Sequence, residues 1–253
     1  MTRRIKITVA YDGRPFGGWQ SQPGKNTVQD YLQSAIMDIT GHRLPVHGSG
    51  RTDTGVHALA QIAHFDVPGS TSLAAPAWCR ALNAKLPPSI RVLSSCNAKD
   101  DFHARFDATG KTYRYRIYHG DVLPPLEHGL AWKLYGSLDL ANLSEALRLF
   151  EGEHNFRAFA ANRGDGAEKN EGHAIRTVRR ASVSSEGPHI TLEFEGDGFL
   201  YKMVRLLTGS AIRVAQHREE PSWIYHLLTD PSAPKSHHCA PADGLYLTSV
   251  HYG

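Results

Sequence analysis

Apolar and polar residues alternate with period two over residues 4–11, where Ile5, Ile7, Val9 and Tyr11 are set against Lys6, Thr8 and Ala10. That spacing predicts a half-buried strand. Asp12-Gly13-Arg14-Pro15 supplies the turn chemistry that ends it. Over residues 26–40 the period changes. Val28, Tyr31, Leu32, Ala35, Ile36 and Ile39 fall on one helical stripe, with Asn26 or Thr27 as the cap and Gly41 as the stop. A short strand is expected at 44–47, a glycine-punctuated loop at 48–54 and a strand at 60–67. The last puts Ile62, His64 and Asp66 on one face and Gln61, Ala63, Phe65 and Val67 on the other. A helix over 73–86, stopped by Pro87-Pro88, and a strand at 90–94 complete the first half.

The second half repeats this order. Residues 111–118 alternate Tyr113, Tyr115 and Ile117 against Thr112, Arg114 and Arg116. A long connection through Pro124-Pro125 leads to a helix carrying Leu140, Leu143, Leu147 and Phe150. Strands at 176–184 and 189–195 read as a hairpin turned by Glu186-Gly187-Pro188. Residues 199–216 read as a buried helix, 222–228 as a short extra helix and 245–252 as a closing strand. Two consecutive β-α-β-β-α-β patterns predict an α+β protein of two tandem ferredoxin-like units. The boundary falls within 98–109, giving domains 1–104 and 105–253, with a central cleft as the natural place for a site.

Composition narrows the class. Of 253 residues, 41% are hydrophobic and 21% charged, as in a globular protein with a sizeable core. No apolar run approaches the ~20 residues of a membrane-spanning helix. The start, Met1-Thr2-Arg3-Arg4, runs straight into the first strand pattern, so no secretory leader is expected. The net charge of +3 allows a polyanionic partner without demanding one. Cys79, Cys96 and Cys239 are odd in number and lack metal-like spacing, which fits reduced thiols of a cytoplasmic protein.

The stretch 48–58 concentrates the chemistry. Gly48-Ser49-Gly50-Arg51-Thr52-Asp53-Thr54-Gly55-Val56-His57-Ala58 brackets one carboxylate with three glycines. Glycine permits positive φ and close approach of backbone to a ligand. A carboxylate so held acts as nucleophile, general base or structural acceptor. The plainer alternative is that Asp53 caps a turn and pairs with Arg51. To stay ionised in a shielded cleft it needs a cation, for which Arg51 and Arg205 are candidates. Arg205 lies on the apolar 199–216 segment, where a lone charge is costly to bury; the plainer reading is an arginine snorkelling at a helix flank. Tyr113 and Tyr115 share a strand face: core residues, or a stacking platform for a planar base. Basic residues are spread through the chain at Arg3-Arg4, Arg14, Lys25, Arg105, Lys111, Arg114, Arg116, Arg163, Arg176, Arg179-Arg180 and Arg213. That suits a shaped nucleic-acid surface more than a polybasic arm, although ordinary solvated faces account for many such residues. His237-His238-Cys239 is the nearest approach to a ligand tract, with no second cluster at zinc spacing, so no metal is expected. Neither a P-loop nor a dinucleotide fingerprint is present.

The 50–58 motif resembles the signature loop of the tRNA pseudouridine synthase A family. The resemblance extends through Tyr11-Asp12-Gly13, Gly18-Trp19-Gln20, Val28-Gln29, Arg80-Ala81-Leu82-Asn83 and Phe102-His103-Ala104-Arg105-Phe106 with Ala108-Thr109. It continues in Tyr113-Arg114-Tyr115, Phe199-Leu200, Met203-Val204-Arg205, Gly209, Ala240-Pro241-Ala242 and Gly244-Leu245-Tyr246-Leu247. These matches run in order and nearly end to end. The resemblance implies a pseudouridine synthase fold with a largely antiparallel, mixed sheet. It implies an isomerase that converts uridine to pseudouridine in the tRNA anticodon arm, without cofactor, metal or nucleotide. It further implies Asp53 as catalytic nucleophile and Arg205 as its countercharge. Tyr113 would stack on the extruded uracil, Arg51 would hold the flipped nucleotide, and Leu245 would form an apolar floor under the base. A homodimer is implied as well. Thr54 departs from the Ala usual beside the aspartate, and Lys111-Thr112 from a more basic pair. The charged, Gly-rich stretch 162–173 reads as flexible. Two other readings compete: a tRNA-binding relative without activity, and a carboxylate hydrolase. The first would be free to lose Asp53; the second needs two facing carboxylates.

Overall fold

The computed structural model describes residues 2–24, 26–162 and 174–253. The chain forms two compact units, one of Met1–Thr109 with Tyr246–Gly253 and one of Gly110–Leu245. Both are mixed α and β, with strands paired mostly antiparallel. The flexible stretch expected at 162–173 falls, apart from its first residue, outside the described residues.

In the first unit β1 (Thr2–Tyr11) buries Ile5, Ile7 and Val9 completely, as the period-two pattern requires. It pairs antiparallel with β3 (His57–Pro68) on one side and β4 (Ile90–Asn97) on the other. β2 is only His47–Gly48, on the far edge of β3; Pro45, with no amide hydrogen to donate, keeps the expected strand from starting earlier. β10 (Leu245–Tyr252) runs parallel to β3, with Tyr246 beside His57 and Leu247 beside Ala58.

Helix α1 (Val28–Thr40) turns Val28, Leu32, Ala35 and Ile36 inward. Thr27 is its cap: the Asp30 amide donates to the Thr27 hydroxyl at 3.3 Å, and that hydroxyl donates to the Asp30 carboxylate at 2.6 Å. Helix α2 (Ala77–Asn83) is half its expected length. Pro76 disfavours a helical Ala75. At the other end the Asn83 amide group pairs with the Val92 backbone as if it were another strand, both bonds at 2.8 Å.

The expected two faces of β3 do not separate into buried and exposed. Gln61, Ile62, Ala63, His64 and Phe65 are all buried. The second face is covered by the 102–106 segment, whose Ala104 amide donates to His64 Nδ1 at 3.1 Å. Arg4 fixes that segment. It grips Asp66 with two 2.7 Å bonds and donates a third to the Phe102 carbonyl.

In the second unit β5 (Ala108–Tyr118), β9 (His189–Gly196), β8 (Ile175–Glu186) and β7 (Gly152–Asn155) are neighbours in that order. β9 alternates cleanly, whereas β8 bulges near Arg179, where its register on β9 slips. Two-residue β6 (Trp132–Lys133) lies parallel to the end of β5. Helix α3 (Leu140–Arg148) is capped by the Asp139 carboxylate. It packs on α4 (Met203–Ala215), with α5 (Pro221–Thr229) against α3 and β7. α4 starts four residues later than the apolar run suggests, because Lys202 holds a left-handed φ of 59°. That leaves Phe199 outside the helix.

His64 makes stability depend on pH. Burial, then the charges of Arg4, His47 and His103, push its pKa down to about 4. An unfolded histidine titrates near ~6.5. Between these values the unfolded chain takes up a proton that the native state refuses, so stability falls as pH falls from 6.5 toward 4. Urea unfolding at pH 7.5 and pH 5 measures this slope. It should be shallower in His64→Gln, and an unchanged slope in that variant would assign the effect elsewhere.

Candidate active site

The loop before β3 is built from its backbone outward. The Asp53 carbonyl accepts from the Val56 amide at 3.1 Å, closing a β-turn whose third residue, Gly55, has φ +79°. Gly18, at φ +93°, lies against the other side; a Cβ there would stand 2.5 Å from the Thr52 carbonyl oxygen and 3.1 Å from the Asp53 carbonyl carbon. Gly13 presses on the Val56 carbonyl in the same way. The Trp19 amide donates to the Thr52 carbonyl at 3.1 Å. The β1–α1 connection therefore holds this loop at contact distance from both ends of the turn.

Side chains close the rest. The buried Tyr11 and Thr52 hydroxyls share a 2.8 Å hydrogen bond. Burial pushes the Tyr11 phenol far up, against hydrogen bonds from Thr52 and Gln61 that act the other way. Gln61, fully buried, donates to the Gly50 carbonyl at 2.9 Å and accepts from the Ser49 hydroxyl. His57 Nδ1 accepts the Gly13 amide at 3.1 Å, and its ring stacks on Tyr246 at 4.6 Å. Asp12 Oδ1 approaches that same nitrogen at 3.3 Å. Because the lone pair is already taken by an amide, we read this contact as packing rather than an ion pair. Burial acts to raise the Asp12 carboxyl, but hydrogen bonds and charge from Arg14 outweigh it and hold it below the ordinary range.

On this scaffold Asp53 is half-buried and Thr54 exposed. Arg51 is exposed and donates to Gln20 Oε1 at 3.2 Å; Gln20 in turn donates to Gln29 on α1 at 2.8 Å. Asp53 and Arg51 thus share one loop of the first unit.

The other three candidates are held by the second unit. Tyr113 is buried, with its ring edge-on to Phe199 at 5.2 Å and 83°. Its strand partner Tyr115 is the core tyrosine: fully buried, donating to the Pro241 carbonyl at 2.7 Å, its phenol pushed far up by burial. Arg205, in the first turn of α4, donates through Nε to the Ala240 carbonyl at 2.7 Å, while its own carbonyl accepts the Ala240 amide at 3.0 Å. This double tie orients the guanidinium. Leu245 is buried, and its amide closes a turn on Ala242.

Several basic residues read as a nucleic-acid surface have intramolecular work. Arg4 clamps Asp66, Arg14 pairs with Asp12, Arg116 with Glu127 and Arg213 with Glu219. Lys25 and Arg163 lie outside the described residues. Around His237-His238-Cys239, His238 packs near Trp223 at 5.8 Å, and burial lowers its pKa.

The supporting residues Gly13, Gly18, Tyr11 and Gln61 were not assigned to the site from the sequence, although Tyr11-Asp12-Gly13 and Gly18-Trp19-Gln20 belong to the family resemblance. A further signal was available for Gln61, a polar residue in an otherwise apolar strand row whose side chain ties the loop at Gly50.

A family profile described as tRNA pseudouridine synthase matches residues 7–107 and 146–253. A tRNA pseudouridine synthase A of Akkermansia muciniphila is 47% identical over 98% of this chain and 95% of its own length. One of Geobacillus kaustophilus is 42% identical over 100% and 95%. One of Clostridium perfringens is 38% identical over 99% and 100%.

Gly24 has φ +105° with open space where a Cβ would go, so Gly24→Ala measures backbone strain alone, about 1–3 kcal/mol. Gly18→Ala adds the collision with Thr52 and Asp53. It should cost at least about 1 kcal/mol more in urea unfolding and shift the amide resonances of residues 52–55. Equal costs for the two variants would show that the loop yields freely.

Proposed function

Since the chain belongs to the tRNA pseudouridine synthase family, we propose that it isomerises uridine to pseudouridine in the anticodon arm of tRNA, with Asp53 as the nucleophile. The observation that carries this reading is the half-buried Asp53 carboxylate on a loop braced by Gly18, Gly13, Tyr11 and Gln61. A nucleophile must be held within a fraction of an ångström of its productive position, and backbone-to-backbone contact is the stiffest way to hold a loop.

In the reaction the bond from uracil N1 to the ribose breaks, the ring turns, and its C5 bonds to the same ribose carbon. The proton lost from C5 balances the one gained at N1. Nothing is oxidised and no group is donated from outside, so the reading needs no cofactor. The target base leaves its stack at a cost of a few kcal/mol, which stacking and cationic contacts offset. We assign these contacts to Tyr113 for stacking and the final proton removal, Arg51 for the flipped nucleotide, and Leu245 for the apolar floor. We likewise assign Arg205 as the countercharge of Asp53. The edge-on Phe199 and the Ala240 tie support the Tyr113 and Arg205 assignments only in that each restrains its side chain.

The repeated element order brings in tandem ferredoxin-like units, the resemblance a homodimer, and the unspaced cysteines a cytoplasmic setting. The order β4-β1-β3 with β2 on β3's edge supports the first for one unit, and β5-β9-β8 for the other. No described helix is long and apolar enough to cross a membrane.

Incubating the protein with unmodified tRNA transcripts and mapping pseudouridine by site tests the reading. Conversion should be confined to the anticodon arm. Asp53→Asn, nearly isosteric, should lower turnover by at least about a thousandfold while tRNA binding stays within a few-fold. Asp53→Asn at the wild-type rate would remove the nucleophile assignment, and binding without conversion by the wild type would favour an inactive tRNA-binding relative. Tyr113→Phe keeps the stacking ring, so its loss of activity reports the hydroxyl alone; full activity would exclude the phenol as proton acceptor.

A further inference from the structure

The Phe102-His103-Ala104-Arg105-Phe106 motif has no part in the chemistry above, and it lies toward the far end of β3 from the Asp53–Val56 turn. His64, which anchors it, lies seven residues along β3 from His57, roughly 23 Å at ~3.3 Å per residue. Within the motif one side chain is out of place for a core segment. Phe106 is 75% exposed.

Its inner face is not loose. The Phe106 ring lies flat on His103 at 4.2 Å and 28°. His103 meets His64 edge-on at 4.8 Å and His47 at 5.6 Å. His64 and His47 stack at 5.1 Å. The backbone is equally constrained. The Arg105 and Phe106 amides both donate to His103 Nδ1, at 3.1 and 3.3 Å. The His103 amide donates to the Asp107 carboxylate at 2.8 Å, and the Asp107 amide to the His103 carbonyl at 3.1 Å. A column of rings rooted in β3 therefore ends in one aromatic face presented to solvent. The Arg105 guanidinium stands over the same ring, 5.8 Å from its centroid.

We propose that Phe106 is a stacking platform for an unpaired base of the tRNA, with Arg105 beside it for the adjoining phosphate. The assignment rests on tRNA being the substrate. A rigid aromatic face next to a guanidinium matches a planar base joined to an anion. A protein surface would need a broad apolar patch. Beside Phe106 in the chain the exposed residues are instead Arg105 and Asp107. The distance from Asp53 makes this a contact to nucleotides other than the target, one that acts on affinity and register rather than on bond breaking.

The test uses the full chain with unmodified tRNA transcript and the variants Phe106→Ala, Phe106→Leu and Phe106→Trp. Affinity is read by filter binding, turnover by tritium release from tRNA labelled at uracil C5, fold by thermal midpoint and association by sedimentation. Removal of one base–aromatic stack weakens binding by about tenfold. Phe106→Ala and Phe106→Leu should therefore raise Kd and KM by that factor, with kcat and thermal midpoint unchanged. Phe106→Trp should restore affinity, its emission quenched when tRNA binds. An alanine variant with wild-type Kd and KM would overturn the proposal. So would a leucine variant as good as tryptophan, which would mark a merely apolar contact, or a loss of self-association in place of tRNA affinity. If the wild type bound tRNA but converted none, the functional reading would fail while the binding series still decided the platform.

Discussion

The Asp53 loop keeps its shape because a second stretch of backbone touches it where no side chain could fit. Gly18 and Gly13 let the β1–α1 connection lie against Thr52, Asp53 and Val56, and the Trp19 amide adds a hydrogen bond to the same loop. Other features of the first unit serve this contact. β1 must end at Tyr11 so that its hydroxyl reaches Thr52. α1 must start where Thr27 caps it, because the Val28 and Gln29 amides bond back to the Gly18 and Trp19 carbonyls. β3 must carry a buried glutamine among its apolar residues. A loop held by side chains alone would retain rotamer freedom at each of them; backbone contacts have little to give.

Histidines do structural work in this chain. His57 and His64 both accept a backbone amide at Nδ1, from Gly13 and Ala104. A protonated ring offers no such acceptor, so each histidine ties its loop only while that nitrogen is bare. The first of these loops borders the Asp53 turn and the second carries Phe106. Local order at these two places thus depends on histidines that stay neutral, and burial holds His64 so, with its pKa pushed down to about 4.

Elements with strong periodicity are legible in the residue pattern alone: β1, α1, β5, β9, the hairpin at Gly187 and the closing strand all lie near where the pattern puts them. The misjudged ones have identifiable causes. α2 and α4 are shorter than their apolar runs because Pro76 and the left-handed Lys202 act locally, and an apolar stripe does not report such breaks. β3 is buried on both faces because the 102–106 segment, distant in sequence, folds over it. β6 and β7 are too short to show a period.

Residue types and spacing by themselves determined the candidate chemistry: one carboxylate amid glycines, a basic partner beside it, and a chain-long resemblance to one family. They also determined the hydrophobic rows that place the strands. What holds these groups was decided by the tertiary structure. That Gly18 must be glycine, that Tyr115 rather than Tyr113 is the core tyrosine, that Arg4 clamps a strand instead of meeting RNA, and that Phe106 faces solvent all follow from contacts between residues far apart in the chain. Local pattern encodes which face of an element is apolar; it does not encode which distant segment covers that face, because that depends on packing and close approach in three dimensions.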